Sequence, residues 1–217
     1  MDKNKCIKVL DKLRKDSKKR NFKQSVELII NLQDIDFKNP QHKINLFINL
    51  HKTIGKKRTV CAFVDMDLVS KAKKVFDKVI EVSEFNKYSE NMRSAKKIAG
   101  KYDFFVSQAN IMAKVASSFG RILGPRNKMP NPKIGCVINP KTDFDALYYK
   151  LQHTLAVRVE RNPVVHLMVG KEDMKDDDII DNIIVAYNTI VHSLPKEKNN
   201  VKNAMLKFTM SKPVKLI

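Results

Sequence analysis

Four basic side chains, Arg121, Arg126, Lys128 and Lys133, lie in one stretch, Gly120 to Gly135, that contains no acidic residue. Guanidinium and ammonium groups gathered this closely suit an anionic partner. The backbone that carries them is restricted: Gly120, Gly124 and Gly135 are three of the chain's six glycines, and Pro125, Pro130 and Pro132 are three of its eight prolines. Proline fixes φ and removes a donor, and glycine opens conformations closed to other residues, so a helix that ends here passes into a turned, irregular loop. Composition leaves two readings of that loop, a contact for an anion or a solvated connection that its prolines stiffen.

The whole chain leans the same way. Lys and Arg number 42 against 23 Asp and Glu, a net charge of +19 over 217 residues. Self-repulsion of that size is most easily understood with a polyanion as partner, nucleic acid ahead of an anionic membrane surface. An apolar content of 43% is ample for a packed core. No apolar run approaches the roughly 18 residues that span a bilayer, and Met1-Asp2-Lys3-Asn4-Lys5 leads into a charged amphipathic segment, which predicts a cytosolic protein with no membrane attachment. Cys6, Cys61 and Cys136 are widely spaced, with no CxxC and no Cys/His cluster, so neither a disulfide framework nor a zinc site is expected, and no cofactor. They read as small, partly buried hydrophobes.

The elements that must position these residues follow from periodicity. Nine basic side chains in residues 3 to 20 (Lys3, Lys5, Lys8, Lys12, Arg14, Lys15, Lys18, Lys19, Arg20) surround Cys6, Ile7, Val9, Leu10 and Leu13 at a spacing that makes a helix with one apolar side. Alternation predicts a strand from Phe22 to Ile30, with Val26, Leu28 and Ile30 inward and Ser25 and Glu27 outward, and a second from Ile44 to Leu50 after a loop with Asp36 and Pro40. These two strands are expected in one half-exposed sheet. After a basic connector at 51–58, Val60 to Val64 is apolar on both parities, as in a strand buried on both faces.

From there helices and strands alternate: a helix around Val69 to Phe76, a strand at Val79-Ile80, a helix from Ser89 to Gly100, a strand at Phe104 to Val106, and a helix from Asn110 into the glycine-proline loop. That order marks a parallel α/β unit over residues 58–152. Cys136 to Ile138 forms its last short strand, and Thr142-x-x-Asp145 has the spacing of a capping box. Half-exposed alternation then returns, with Leu155, Val157 and Val159 opposite Arg158 and Glu160, a strand from Val164 to Gly170-Lys171, a helix opened by Asp176, Asp177 and Asp178, and a last strand of Leu206, Phe208 and Met210 against Lys207 and Thr209. The economical organisation is one domain of residues 1–57 and 153–217 with another, 58–152, inserted into it. His166, inside an apolar strand, reads as a packed histidine.

At the loop the chain resembles the L-one family of large-subunit ribosomal proteins, the protein of the mobile stalk beside the exit site. The matching words are Leu123-Gly124-Pro125-Arg126-x-Lys128-Met129-Pro130-Asn131-Pro132-Lys133-x-Gly135, Phe22-x-x-Ser25-Val26-Glu27-Leu28, His166-x-x-Val169-Gly170-Lys171 and Thr209-Met210, in the family's order and spacing. Pro-Arg-Asn-Lys-Met-Pro is closer to the archaeal branch than to the eukaryotic cytosolic one. The resemblance implies an α/β architecture, with a two-layer α+β first domain whose sheet is half-exposed and an inserted Rossmann-like, three-layer α/β domain. It also implies a ribosomal RNA-facing cluster that falls here on Phe22, Ser25, Glu27, Gly170, Lys171, Thr209, Met210 and Ser211. Ser25 stands where the family usually has Thr, which keeps the hydroxyl. Ser211 stands where it has Gly, which puts that one close backbone approach in question.

The short hydroxyls of Ser25 and Thr209 suit 2′-hydroxyls and phosphates, and Phe22 or Met210 can press on a sugar or base. Glu27 either accepts a hydrogen bond from a 2′-hydroxyl or base amino group, or pairs with a neighbouring Lys. Lys171 and the first helix would supply salt-dependent affinity. Further implications are a non-enzymatic ribosomal role, in the cytoplasm and bound to the ribosome, assistance to release of exit-site transfer RNA, repression of the protein's own messenger RNA, and a monomer away from the ribosome. Arg121, Arg126, Lys128 and Lys133 then belong to the encounter with transfer RNA or to the interdomain surface. The competing class, an enzyme that binds a nucleotide on the inserted domain, lacks its motif: there is no G-x-G-x-x-G after a strand and no G-x-x-x-x-G-K-[ST], and Gly124 is followed by Pro125-Arg126.

Overall fold

Asp2, whose carboxylate accepts the N–H of Asn4, starts the first helix, and a backbone that turns extended at Ser17 ends it. A computed structural model describes residues 2–39, 42–159 and 162–216. Pro40, expected in the first loop, and Glu160, expected beside Arg158, lie outside the described residues. In chain order the elements are α1 (Lys3–Asp16), β1 (Ser25–Leu32), β2 (Ile44–Asn49), β3 (Val60–Val64), α2 (Met66–Val75), β4 (Lys78–Glu81), α3 (Phe85–Glu90), α4 (Met92–Lys101), β5 (Phe104–Gln108), α5 (Met112–Leu123), β6 (Val137–Ile138), α6 (Phe144–His153), β7 (Thr154–Val159), β8 (Val164–Lys171), α7 (Asp176–Ser193), β9 (Val201–Phe208) and β10 (Val214–Lys215). The α/β class expected from the sequence is the class observed. The chain divides into two compact units, residues 1–56 with 153–217, and residues 57–152.

In the first unit β1 is a central strand of the sheet β10-β9-β1-β8, antiparallel to β8 and β9. It does not share a sheet with β2, as the sequence had suggested; β2 pairs antiparallel with β7, from Ile44 opposite Val159 to Asn49 opposite Thr154. Alternation says which face of a strand is wet but not which strand lies beside it, and β7, far along the chain, is the partner that completes β2's hydrogen bonds. The inward residues Val26, Leu28 and Ile30 of β1, Val165 and Leu167 of β8, and Ala204, Leu206 and Phe208 of β9 share one core with Cys6, Leu10 and Leu13 of α1 and with Ile179, Ile183, Ala186 and Ile190 of α7. Burying a side chain of this size contributes about 1.5–3 kcal/mol, so the helices are held chiefly by that face.

The second unit is a parallel sheet of order β4-β3-β5-β6. Every residue of β3 is buried, as a strand covered on both faces requires. Phe63 packs against Phe85, Phe105 and Phe119 with ring centroids 4.8–5.7 Å apart, and Phe76 packs against Phe144 at 5.5 Å.

Three of the departures from the sequence expectation have local causes. The helix expected from Ser89 begins only at Met92, because Asn91 accepts the N–H of Ser94 and starts α4 afresh after α3. The capping box does not form: Asp143 accepts the N–H groups of Asp145 and Ala146, while the Thr142 hydroxyl takes the N–H of Asn139 in the preceding turn. The last long strand stops at Phe208, since Ser211 donates its N–H back to the Phe208 carbonyl at 3.1 Å, so Thr209 and Met210 stand in a turn.

Candidate nucleic-acid interface

The outer face of the first sheet is set by β1. With Val26, Leu28 and Ile30 buried, Ser25, Glu27 and Asn31 must point the other way. Neighbouring strands place Lys207 opposite Glu27, Asn203 opposite Asn31 and Lys171 opposite Ser25. Lys171 reaches that position through a bulge. Val26 pairs with Gly170 but Glu27 pairs with Met168, so Val169 is an extra residue, and both Val169 and Gly170 are buried. The slip reverses the parity of β8 and turns Lys171 outward. Asn182 of α7, wholly buried, secures it: its amide donates to the Val169 carbonyl at 3.0 Å and its oxygen accepts the N–H of Lys52 at 3.3 Å. A β-carbon on Gly170 would stand 3.1 Å from Ile179 Cγ1, so close packing of α7 accounts for this glycine whatever binds outside.

At the start of β1 the Ser25 N–H donates to the Thr209 hydroxyl oxygen at 3.0 Å, and the Thr209 N–H donates to the Ser25 carbonyl at 3.1 Å. The Thr209 hydroxyl keeps its own proton to offer outward. Beneath the turn lies Gln24, buried, whose amide oxygen accepts the Met210 N–H at 3.1 Å and whose nitrogen donates to Ser17 Oγ at 3.2 Å. Held this way, Met210 is 59% exposed, and Phe22 is 50% exposed before β1. Two large apolar side chains without cover thus lie within three residues in sequence of Ser25 and Thr209. Ser211 does not face out in the same manner: its hydroxyl accepts the Phe208 N–H at 2.8 Å and closes the turn.

Glu27 sits between a lysine and a histidine. Its Oε2 is 3.7 Å from Lys207 Nζ and 3.8 Å from His166 Nδ1. Of the two alternatives for this carboxylate, the pair with a neighbouring lysine is formed, and the partner is Lys207, across the strand pair. The histidine corrects an expectation: with Val165 and Leu167 inward, His166 lies outward with its side chain 55% exposed, not packed. Strand parity already carried that signal. The apolar residues on either side, Val165 and Leu167, mask it because they belong to the opposite face. Lys207 and Gln24 were likewise missed as parts of the arrangement, the first because its partner is 180 positions away in sequence, the second because a buried amide leaves no periodic mark.

A second set of contacts fixes the start of α7 beside this face. Arg14 binds the Asp176 carboxylate and donates to the Glu172 carbonyl at 2.9 Å. Lys23 donates to Asp173 at 2.6 Å, and that hydrogen bond raises the lysine's pKa and lowers the carboxyl's.

In the second unit the glycine-proline loop turns at Asn127 and Gly135, both at positive φ. Two of its four basic residues are engaged in folding. Lys128 donates to the carbonyls of Ala99 and Tyr102, at 2.9 and 2.6 Å, where α4 ends, and Arg126 donates to the Lys96 carbonyl at 3.3 Å. A cation at a helix C-terminus satisfies orphan carbonyls and opposes the dipole. Arg121 and Lys133 are exposed. Cys61 and Cys136 are buried, and burial pushes their thiols up to about 12 and about 11; all three cysteines are fully, not partly, buried. Among the described residues no group of three or more His, Cys, Asp and Glu is placed to hold a metal, and no helix is long and apolar enough to cross a membrane.

Fold and site together define a class of basic α/β proteins in which a sheet unit built from both ends of the chain carries an open polar face and a parallel unit lies between its halves in sequence. Comparison with known sequences narrows the class. The profile of the ribosomal protein L1p/L10e family matches residues 13–212. The large ribosomal subunit protein uL1 of Thermococcus kodakarensis is 35% identical over 216 residues, 99% of this chain and 98% of the relative. Those of Methanothermobacter thermautotrophicus and Thermoplasma volcanium are each 36% identical, over 97% and 100% of this chain and 98% and 97% of theirs. The chain belongs to the ribosomal protein L1p/L10e family, and its form is archaeal.

Proposed function

We propose that this protein is a structural component of the large ribosomal subunit that binds large-subunit ribosomal RNA through the outer face of its first sheet. The observation that carries the proposal is the Ser25–Thr209 pair with Lys171 beside it and Phe22 and Met210 uncovered at its edge. Hydroxyl donors read 2′-hydroxyls and phosphates, apolar side chains rest on sugars and bases, and the net charge of +19 supplies attraction that does not depend on sequence. Glu27, held by Lys207, is positioned to accept from a ribose hydroxyl or a base amino group. In this reading the protein forms the mobile stalk near the exit site, works in the cytoplasm bound to the ribosome, and assists release of deacylated transfer RNA, with exposed Arg121 and Lys133 available to that transfer RNA. The same sheet face would let it repress its own messenger RNA, and away from the ribosome it is a monomer.

An enzymatic role on the parallel unit is disfavoured by chemistry at the position a phosphate would take. The link from β3 to α2 is the single residue Asp65, whose carboxylate accepts the Met66 N–H at 2.9 Å. A negative charge there opposes a bound phosphate. Crosslinking in cell extract tests the function: large-subunit ribosomal RNA should be recovered on peptides of β1, β8 and the Thr209–Ser211 turn, and recovery of unrelated RNA or none would overturn it.

A further inference from the structure

One groove in the first unit has no role in the reading above. It runs between the C-terminal end of α1 and the turn that joins β9 to β10, and the residues that line it include Leu13, Gln24, Met210 and Val214 together with charged Asp16, Lys18, Arg20 and Lys212. Its composition is divided. Leu13 and Gln24, both buried, close the bottom, while Val214 and the uncovered Met210 form an apolar side. Lys18, Arg20 and Lys212 outnumber the lone carboxylate of Asp16 at the mouth. An apolar wall that ends in a thioether suits the flat face of a nucleobase. A buried amide at the base can still offer one N–H and one lone pair, since Gln24 uses only one of each on Ser17 and Met210. Cations at the mouth suit a phosphate.

We propose that this groove receives one unpaired nucleotide of the bound RNA, its base against Met210 and Val214 and its phosphate at Lys18, Arg20 and Lys212. The inference rests on the proposed function, and continuity carries it: Met210 belongs both to the groove and to the RNA-facing turn, so RNA seated on the Ser25–Thr209 pair passes directly over the mouth. Proteins that recognise RNA in a sequence-dependent manner usually do so through bases splayed out of the helix, and a groove at the edge of a shape-reading surface is where such a base would go.

The position of Asp16 allows a test in which sign decides. It is exposed at the end of α1, and no ion pair is formed by it among the described residues. Replacing it removes a negative charge, which by charge alone tightens binding to RNA. Affinity for in vitro transcribed large-subunit ribosomal RNA is measured for the unaltered protein, Asp16→Asn and Asp16→Trp, with folding checked by circular dichroism. Asp16→Asn should bind as tightly as the unaltered protein or better. Asp16→Trp, which fills the groove, should bind at least about tenfold more weakly, and one nucleotide whose base is protected from chemical modification by the unaltered protein should lose that protection. If Asp16→Trp binds as tightly as Asp16→Asn with the same protections, the groove is empty in the complex and the inference is overturned, while the sheet-face reading stands. If the unaltered protein itself does not bind the RNA, the proposed function fails first.

Discussion

Thr209 and Ser25 hold one another by two hydrogen bonds, the Ser25 N–H to the Thr209 hydroxyl at 3.0 Å and the Thr209 N–H to the Ser25 carbonyl at 3.1 Å. A side chain thereby extends the β1–β9 ladder beyond its last backbone rung. Thr209→Val keeps the shape and removes the acceptor, which leaves the Ser25 N–H without that partner at a cost of about 1–3 kcal/mol. The urea midpoint should fall accordingly, and affinity for large-subunit ribosomal RNA should fall as well, whereas Thr209→Ser should restore both. Undiminished affinity in a folded Thr209→Val would remove the hydroxyl from the interface.

Gly170→Ala probes the bulge. Its β-carbon would meet Ile179 Cγ1 at 3.1 Å and Met174 Sδ at 3.3 Å. The methionine can swing aside, but Ile179 is wholly buried in the core and cannot yield without moving α7. We expect a loss of about 1–3 kcal/mol in chemical denaturation. A variant as stable as the parent would show that the first turn of α7 is free to shift.

Binding should respond steeply to salt, given the charge of +19. If about 4–6 phosphates are neutralised, raising monovalent salt from about 50 to about 200 mM should weaken the complex on the order of 100-fold to 1,000-fold. Titrations by filter binding at several salt concentrations would give the slope, and a flat line would sink the electrostatic part of the proposal.

The buried thiols give the fold an alkaline limit. Their ordinary pKa is near 9.0, and in the folded chain Cys61 and Cys136 are raised to about 12 and about 11. The folded state therefore keeps protons that the unfolded chain releases, so this contribution is complete below pH 9.0 and is lost as pH rises through the folded values. Urea midpoints followed through that window should decline less in a Cys61→Ala/Cys136→Ala variant than in the parent. Iodoacetamide should label both cysteines only as fast as the chain opens.

Lys128→Met tests whether the loop's lysine serves the fold. The substitution keeps the aliphatic stem and removes the cation from the Ala99 and Tyr102 carbonyls. Hydrogen exchange at the end of α4 should quicken, and stability should fall by about 1–2 kcal/mol. Unchanged exchange would return Lys128 to the set available for RNA.

Much of this arrangement was legible along the chain because burial repeats locally. The period of two from Val26 to Ile30 names Ser25 and Glu27 as outward, the apolar run Val60 to Val64 names a doubly covered strand, and the glycine-proline words at Gly124 to Gly135 carry the family. The same rule, applied strictly to Val165, His166 and Leu167, would have turned the histidine outward. What the rule does not contain is the neighbour across a gap in sequence.

By itself, then, the sequence determined the class of the fold, the wet side of β1, the excess of positive charge and the family. Only the tertiary structure decided that β1 lies between β8 and β9 and not beside β2, that Glu27 stands between Lys207 and His166, that a bulge turns Lys171 outward, and that Lys128 closes a helix in place of facing solvent. The physical reason is one of range: side-chain periodicity is fixed by the geometry of a few consecutive peptides, whereas strand partners and lone polar contacts are fixed by whichever distant group satisfies a donor or charge once the core has closed.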